Sequence, residues 1–443
     1  MSATVKGFFS KAGGSGAIFE DIYIVAGKRT PFGKLTGSLS TVSPTDLAIM
    51  SSRAALEAAQ IDPLEIDQLV AANIGVASAD AFFLPRHIAL YSGMRLEAPA
   101  VMAQRICGSG IEVIGQAAEQ IALGKASTVL AVGTETMSRF PLASFSVRQG
   151  FSIGRPEFID LLWEALGDTA AVPMGQTADI LAKKFAVGRE EVDRFAESSQ
   201  RKYFEAQQAG FFKDEIVRIA KSGVFERTDL KPRKYKLKEG QDLEADEHPR
   251  NTSLEKLKGL SPVFSPEGPT TAGNASGIVD GACSVVVASG DYVRRHGLKP
   301  IGKIRGFVSV GVEPQIMGIG PAPAIRSLLG ALNMKLNDID LFEINEAFGA
   351  QCLSVAKDLE LDLSKLNIHG GAIAVGHPLA ATGTRLVTTL LRSLHSKKRS
   401  LGIASACIGP EGERIRGGDR EGTGRISDLA YGERLRFHIL PIA

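Results

Sequence analysis

A chain of 443 residues, 44% hydrophobic and 23% charged, has room for two or three globular domains and an ample core. Its net charge of +2 supplies no global field for nucleic acid or an anionic membrane surface. No apolar run approaches the roughly 20 residues that span a bilayer, and the four cysteines (Cys107, Cys283, Cys352, Cys407) form no Cys-x-x-Cys pair, which points to free thiols in a reducing compartment rather than disulfides or a zinc site.

Residues 1–20 carry Gly-Gly-Ser-Gly and no apolar signal core. Lys6 and Lys11 without arginine give only a weak likeness to a transit peptide, so a disordered tail is expected there. Residues 21–26 read as a strand and 28–33 as a turn. Pro44 opens a helix that runs to about Ala59, residues 68–76 form the next strand, and 85–93 a further helix. An extended apolar approach, 98–103, then leads into Gln104-Arg105-Ile106-Cys107-Gly108-Ser109-Gly110 and a helical pattern over 111–123. Gly108 and Gly110 permit a sharp turn and the close approach of another molecule. A cysteine at that helix N-terminus is expected to favour its thiolate, as a nucleophile requires. It is equally readable as a small buried hydrophobe at a tight turn.

Residues 127–133 form an apolar, β-branched strand ending in Gly133-Thr134-Glu135-Thr136-Met137. The alternation of strand and helix predicts an α/β protein with a largely buried sheet. Between about 138 and 261 the character changes to scattered aromatic and basic residues, with a charged helix over 189–209 and a basic run at Lys231, Arg233, Lys234, Lys236 and Lys238. This reads as an inserted region over the surface, the run being either a solvated face or a dock for phosphates. From Thr270 small residues return, followed by a strand at 282–288 and a second α/β run from Ile301 whose order echoes the first. It comprises a helix at 322–332, a strand at 341–344, a helix at 347–359, a glycine-rich turn at 370–376, a helix from Thr384 and a strand at 401–406. The shared order suggests an internal duplication.

Three segments of the second half could join Cys107 in chemistry. Asn345-Glu346-Ala347-Phe348 lies where a strand becomes a helix, Gly376-His377-Pro378 opens another such turn, and Ser405-Ala406-Cys407-Ile408-Gly409 closes a strand. Singly, Asn345 reads as a helix cap, His377 as a satisfied turn residue and Cys407 as core. Together they occupy strand ends, where open α/β sheets gather functional groups.

The combination Cys-Gly-Ser-Gly, Asn-Glu-Ala-Phe, Gly-His-Pro and Cys-Ile-Gly resembles the thiolases, which are acyl-CoA:acetyl-CoA acyltransferases. Arg29-Thr30-Pro31-Phe32-Gly33, the segment 271–277 and Met317-Gly318-Ile319-Gly320-Pro321 match as well. The resemblance covers about residues 21–409 in order. It implies a thiolase-like α/β fold of two similar halves: 21–137 with 268–289, and 290–409, with a loop domain inserted at 138–267. It further implies that Cys107 attacks a 3-ketoacyl-CoA, that His377 takes the thiol proton, and that Cys407 exchanges a proton with the acetyl-CoA enolate. One oxyanion site would be His377 with a water on Asn345, the other the backbone N–H groups of Cys107 and Gly409. Arg250 falls near the expected CoA adenine and Ser276 along the pantetheine arm, with Met317 and Phe348 as walls of the acyl pocket. Coenzyme A is then a substrate rather than a cofactor, no metal is implied, and the chain assembles as a homotetramer or homodimer without nucleic acid or membrane insertion.

Pro173-Met174-Gly175 stands where acetoacetyl-specific members carry His-Met-Gly, which favours broader chain-length use. Ala380 replaces the glycine often found after the His-Pro pair. After Gly409 the residues 410–443 show no strand pattern, so the short apolar strand that closes the second sheet in the family is expected to be missing. Two rivals are a ketoacyl-synthase-like condensing enzyme, which lacks a second cysteine, and an inactive acyl-CoA-binding homologue. The expected location is the cytoplasm, with the mitochondrial matrix as the alternative.

Overall fold

The computed structural model describes residues 5–9, 14–151, 153–167, 172–409 and 438–442. Two mixed sheets dominate it. In the first, the strands follow the order Gly302–Lys303, Ile22–Arg29, Val279–Ser289, Thr128–Thr136, Gln68–Ala72, Ala100–Met102. Val279–Ser289 runs antiparallel to both neighbours, whereas Gln68–Ala72 is parallel to both of its own. Thr128–Thr136 is buried along its whole length, as the apolar run over 129–132 favours in a central strand, and the burial extends to Glu135 near its end. In the second sheet the order is Val5–Phe9, Ser15–Phe19, Gly306–Ser309, His438–Ile442, Gly402–Ala406, Leu341–Ile344.

Between the sheets lie two helices, Ser109–Ala122 and Leu379–Ser396. Ile111, Ile114 and Ala118 of one, with Leu386, Val387 and Leu390 of the other, share a core with Ile24, Val129 and Val285 of the first sheet and Phe307, Leu341 and Ala404 of the second. Pro44–Ala59 and Leu84–Tyr91 cover the outer face of the first sheet. Pro321–Leu332 and Gly349–Leu359 cover that of the second. The layers therefore run helix, sheet, helix, sheet, helix. Pro44–Ala59 shows how the local signals act: Ser43 accepts a hydrogen bond from Asp46 N at its start, Pro44 occupies the first turn, and Gln60 ends it in a left-handed conformation.

The two central helices touch backbone to backbone. A Cβ at Gly110 would lie 2.5 Å from Thr384 N and 2.6 Å from Ala380 O, and one at Gly383 would collide with Ile111 N. Glycine at both positions lets the first turns cross, and Cys107 and His377 each stand immediately before one of those turns. What Gly110 admits is thus another part of this chain rather than a ligand.

Several sequence expectations are corrected. Residues 1–20 are not simply a disordered tail: Val5–Phe9 and Ser15–Phe19 form an antiparallel hairpin, and Ser15–Phe19 pairs with Gly306–Ser309 while burying Ala17 and Phe19. The alternation of inward residues and the unpaired backbone edge of Gly306–Ser309 account for it. Gly302–Lys303, assigned by sequence to the second half, extends the first sheet. The helix after His377 begins at Leu379 rather than Thr384.

The expected loss of the closing strand is overturned. Residues 410–437 lie outside the described residues, but His438–Ile442 enters the second sheet between Gly306–Ser309 and Gly402–Ala406, antiparallel to both. Pro441 explains why the segment did not read as a central strand, because proline can donate no ladder hydrogen bond. Ending the chain after residue 437 would leave two buried edges unpaired, each orphaned backbone group costing about 1–3 kcal/mol. The expected result is a melting temperature lower by roughly 5–10 °C in thermal denaturation. An unchanged transition would show that the strand contributes nothing to stability.

Candidate active site

Cys107 lies in a single 3-10 turn, Ile106–Gly108, directly ahead of Ser109–Ala122. Ile106 holds φ at 41°, a left-handed conformation costly for a β-branched residue. The turn is tied by Arg105 N donating to Ser109 Oγ at 2.7 Å and by an Arg105–Glu112 ion pair at 2.9 Å. The thiol is only 3% exposed, among Ile74, Met137, Ile278 and Leu379. Burial pushes it up to about 12, against the pull of hydrogen bonds from the N–H groups of Gly409 and Cys107 itself, while Glu135 nearby adds to the rise. The expected resting thiolate is therefore corrected to a thiol: loss of water around the sulfur outweighs the helix N-terminus. Cys107 needs a base.

His377 supplies a candidate. It follows Gly376, whose φ of 91° and contact with Val279 leave no place for a side chain, and its backbone N–H donates to Gly277 O at 2.9 Å. Thr382 Oγ1 donates to Pro378 O at 3.0 Å, so it accepts from His377 Nδ1–H at 2.5 Å. That pairing fixes the tautomer and leaves Nε2 with its lone pair, facing Asn345 Nδ2 at 3.3 Å. Burial, with a smaller contribution from Arg385, lowers His377 to about 3, so the imidazole is neutral.

Asn345 ends the strand Leu341–Ile344, its N–H donating to Ser405 O at 2.9 Å. It is not a helix cap, since the next helix starts at Gly349. Its Oδ1 is buried without a hydrogen-bond partner among the described residues. Cys407 follows Gly402–Ala406 and is fully buried. Burial raises its thiol far above the ordinary range, and the adjacent Cys107 raises it further. The two thiols and the Gly409 N–H thus lie together, and His377, which faces Asn345, stands two residues before Leu379 of the Cys107 cluster.

The residues expected to hold substrate lie around this centre at different depths. Ser276 directs both its hydroxyl and its N–H to Ala347 O, at 3.0 and 3.1 Å, so its segment runs beside 345–348. Phe348 stands edge-on to Phe264 at 5.8 Å. Met317 is buried in one cluster with Cys407, Ile408 and Met174. Arg250 is farther out, reaching Ala272 O at 3.3 Å, four residues before Ser276. The basic run does not join Arg250. The run lies on and just after the strand Leu230–Lys236, which pairs antiparallel with Ser222–Arg227; Arg233 pairs with Asp46 and Asp80 at 2.7 Å, and Lys238 donates to Thr36 O at 2.6 Å, so this hairpin docks beside the start of Pro44–Ala59.

Sequence reasoning passed over two groups, Thr382 and Glu135. Thr382 lies inside the His-Pro motif, where a hydroxyl five residues after a histidine was a usable signal. Met174, noted in sequence for chain-length use, begins the helix Met174–Lys184 and lies against Gly409. Glu135, a carboxyl closing an otherwise apolar strand, is wholly buried. Among the described residues no group of three or more His, Cys, Asp or Glu could hold a metal. No described helix is long and apolar enough to cross a membrane.

Comparison with known proteins agrees with this geometry. Residues 22–291 match the family model for the thiolase N-terminal domain, and 298–414 that for the C-terminal domain. The chain is 42% identical over 396 residues to a mitochondrial 3-ketoacyl-CoA thiolase of Bos taurus, covering 89% of this chain and 96% of that one. It is 38% identical over 392 residues to an acetyl-CoA acetyltransferase of Paracoccus denitrificans, covering 87% and 96%. The crystal structure of human mitochondrial 3-ketoacyl-CoA thiolase in complex with CoA superposes with a TM-score of 0.84 at 37% identity, covering 99% of both chains. With two family models covering residues 22–291 and 298–414 and relatives matched over nearly their full length, the chain belongs to the thiolase family.

Proposed function

We propose that this chain catalyses thiolytic cleavage of a 3-ketoacyl-CoA by coenzyme A, giving acyl-CoA and acetyl-CoA, and the reverse Claisen condensation. The observation that carries the reading is the adjacent pair of buried thiols, Cys107 and Cys407, together with a neutral imidazole whose Nδ1 is tied to Thr382, so that Nε2, facing Asn345, is the nitrogen left to accept a proton. His377 Nε2 takes the Cys107 proton as sulfur attacks the 3-keto carbon. The C2–C3 bond then breaks, leaving an acyl thioester on Cys107 and the enolate of acetyl-CoA, which Cys407 protonates. Coenzyme A enters as thiol, gives its proton to the Cys407 thiolate and attacks the thioester; the C–S bond to Cys107 breaks, and the departing sulfur takes back its proton from His377, which restores the resting site. Each oxyanion needs donors fixed in advance. The N–H groups of Cys107 and Gly409, already aimed at the sulfur, serve the acyl carbonyl, while protonated His377 and a water on Asn345 serve the enolate.

The second thiol sets this reading apart from a ketoacyl-synthase-like condensing enzyme, and the assembled Cys107, His377, Asn345 and Cys407 set it apart from an inactive binder. Arg250 and Ser276 are assigned to coenzyme A, and Met317, Phe348 and Met174 to the acyl chain. A homodimer is supported by the edge strand Ala100–Met102, where Val101 and Met102 are 44% and 38% exposed beside an unpaired backbone edge. A tetramer is supported by exposed Leu142, Phe145, Phe158 and Trp163 on the inserted region. The mitochondrial names of the vertebrate relatives favour the mitochondrial matrix over the cytoplasm expected from composition.

A CoA-dependent cleavage assay across acetoacetyl-CoA and longer 3-ketoacyl-CoA substrates tests the reading. With Pro173-Met174-Gly175 beside the site, kcat/KM should rise by about tenfold or more from acetoacetyl-CoA to medium chains, a methylene in an apolar pocket being worth about 1–3 kcal/mol. Activity confined to acetoacetyl-CoA would remove the broad-specificity assignment, and no cleavage of any substrate would remove the activity itself.

A further inference from the structure

Glu135 has no role in the chemistry above, yet it is a fully buried carboxyl next to the nucleophile, held entirely by donors. Oε1 accepts from Asn73 Nδ2 at 2.8 Å and Gly75 N at 3.1 Å; Oε2 accepts from Ile74 N at 3.1 Å and Ala380 N at 3.4 Å. All four partners are N–H groups, so the arrangement is built for a carboxylate; a protonated oxygen would set a hydrogen against a donor. Burial pushes Glu135 up to about 8 against the pull of the three backbone donors, and Asp280 adds to the rise, so the carboxylate this geometry is built for is the main form above that pH.

Its partners belong to two segments that both wall Cys107. Ile74 packs against the Cys107 cluster, and its carbonyl accepts from Gln104 Nε2 at 3.4 Å, three residues before the nucleophile. Ala380 follows Leu379, which contacts Cys107, and stands three residues after His377. One side chain therefore spans the 73–75 loop of the first half and the helix start that carries the base in the second.

We propose that Glu135 is a positioning residue for the thiolase reaction: as a carboxylate it clamps residues 73–75 to the first turn of Leu379–Ser396, and so sets how Cys107 faces His377. The clamp acts on alignment rather than on binding. Turnover should depend on it strongly and substrate affinity little. Its negative charge also disfavours the Cys107 thiolate, the direction already seen at that thiol. Replacing Glu135 by glutamine removes the charge and turns one acceptor into a donor facing donors. The result is an unusual pair of opposite effects: slower turnover with an easier thiol ionisation.

The inference rests on Cys107 being the nucleophile of a thiolase. The experiment compares parent, Glu135→Gln and Glu135→Asp at a temperature well below each melting transition, by thiolysis kinetics on the alkaline side of the Glu135 titration and by the pH dependence of Cys107 alkylation with iodoacetamide, with site occupancy read by mass spectrometry. Glu135→Gln should lose ten- to hundredfold in kcat with KM within about threefold, while its alkylation profile moves to lower pH. Glu135→Asp, which keeps the charge, should recover at least a third of the lost activity on a logarithmic scale and leave the alkylation profile at the parent position. Unchanged kcat in folded Glu135→Gln, or a fall in kcat with an unmoved profile, overturns the proposal. If Glu135→Gln does not fold, Asn73→Ala decides, since it removes one donor and no charge: a fall in kcat of threefold or more with KM unchanged supports the clamp, and parent kinetics overturn it. Failure of the thiolase reading is visible separately, because parent activity would then survive complete alkylation of Cys107.

Discussion

Cys107→Ser is expected to reduce thiolysis by roughly four orders of magnitude while leaving acyl-CoA binding within about twofold. The size follows from the state of the resting site. Burial holds the Cys107 thiol up to about 12 and the His377 imidazole down to about 3, so no thiolate–imidazolium pair stands ready. Proton transfer to His377 must accompany attack on the carbonyl, and a hydroxyl is both harder to ionise and a poorer nucleophile than a thiol. The serine keeps the Gly409 and Cys107 N–H donors and the surrounding walls, so binding persists. Iodoacetamide provides the check in the parent protein. Inactivation should track modification of Cys107, at a rate that rises with pH through the alkaline range as the thiolate fraction grows. Modification of another cysteine first, with activity following that one, would show that the nucleophile lies elsewhere.

Cys407→Ala is expected to abolish exchange of the acetyl-CoA α-proton with solvent and to lower overall cleavage by about three orders of magnitude, while acyl transfer onto Cys107 partly survives. The group sits at a strand end with its thiol fully protonated, held so by burial and by the sulfur of Cys107 beside it. That is the form an acid needs when the enolate departs. Acting as a base in the reverse direction, it is helped once Cys107 is acylated and can no longer carry charge. Proton exchange in deuterated water, followed by mass spectrometry of acetyl-CoA, reads this role directly. Exchange at the parent rate in the alanine variant would exclude Cys407 as the proton carrier.

Much of this site is legible in sequence because its local rules are strict. Gly110 and Gly383, Pro378 after His377, and cysteines at two strand ends each mark a turn that few other residues could make. Other features depend on distant context. The helix behind Cys107 announces a positive potential, but only packing reveals that the thiol has lost its water, and that loss dominates. Asn345 looks like a cap until the helix is seen to begin at Gly349. The basic run at 231–238 suggests phosphate binding, yet Arg233 is absorbed by Asp46 and Asp80, acids far away in sequence. Ser15–Phe19 and His438–Ile442 are short and flanked by residues without a strand pattern. Their pairing is dictated by open edges elsewhere in the chain, which no local window contains.

The crossing of Gly110 over Gly383 bears on how the protein acquires activity during folding. Those two glycines are distant in sequence, so their contact carries a large loop-closure cost and forms only when the two halves have docked. Cys107 and His377 ride on the turns that meet there. The first half alone holds Cys107 without its base, and the second holds His377, Asn345 and Cys407 without the nucleophile, so neither is a catalyst. Activity is therefore expected to return only with docking of the halves, so its recovery after dilution from denaturant should lag behind recovery of sheet and helix content in circular dichroism.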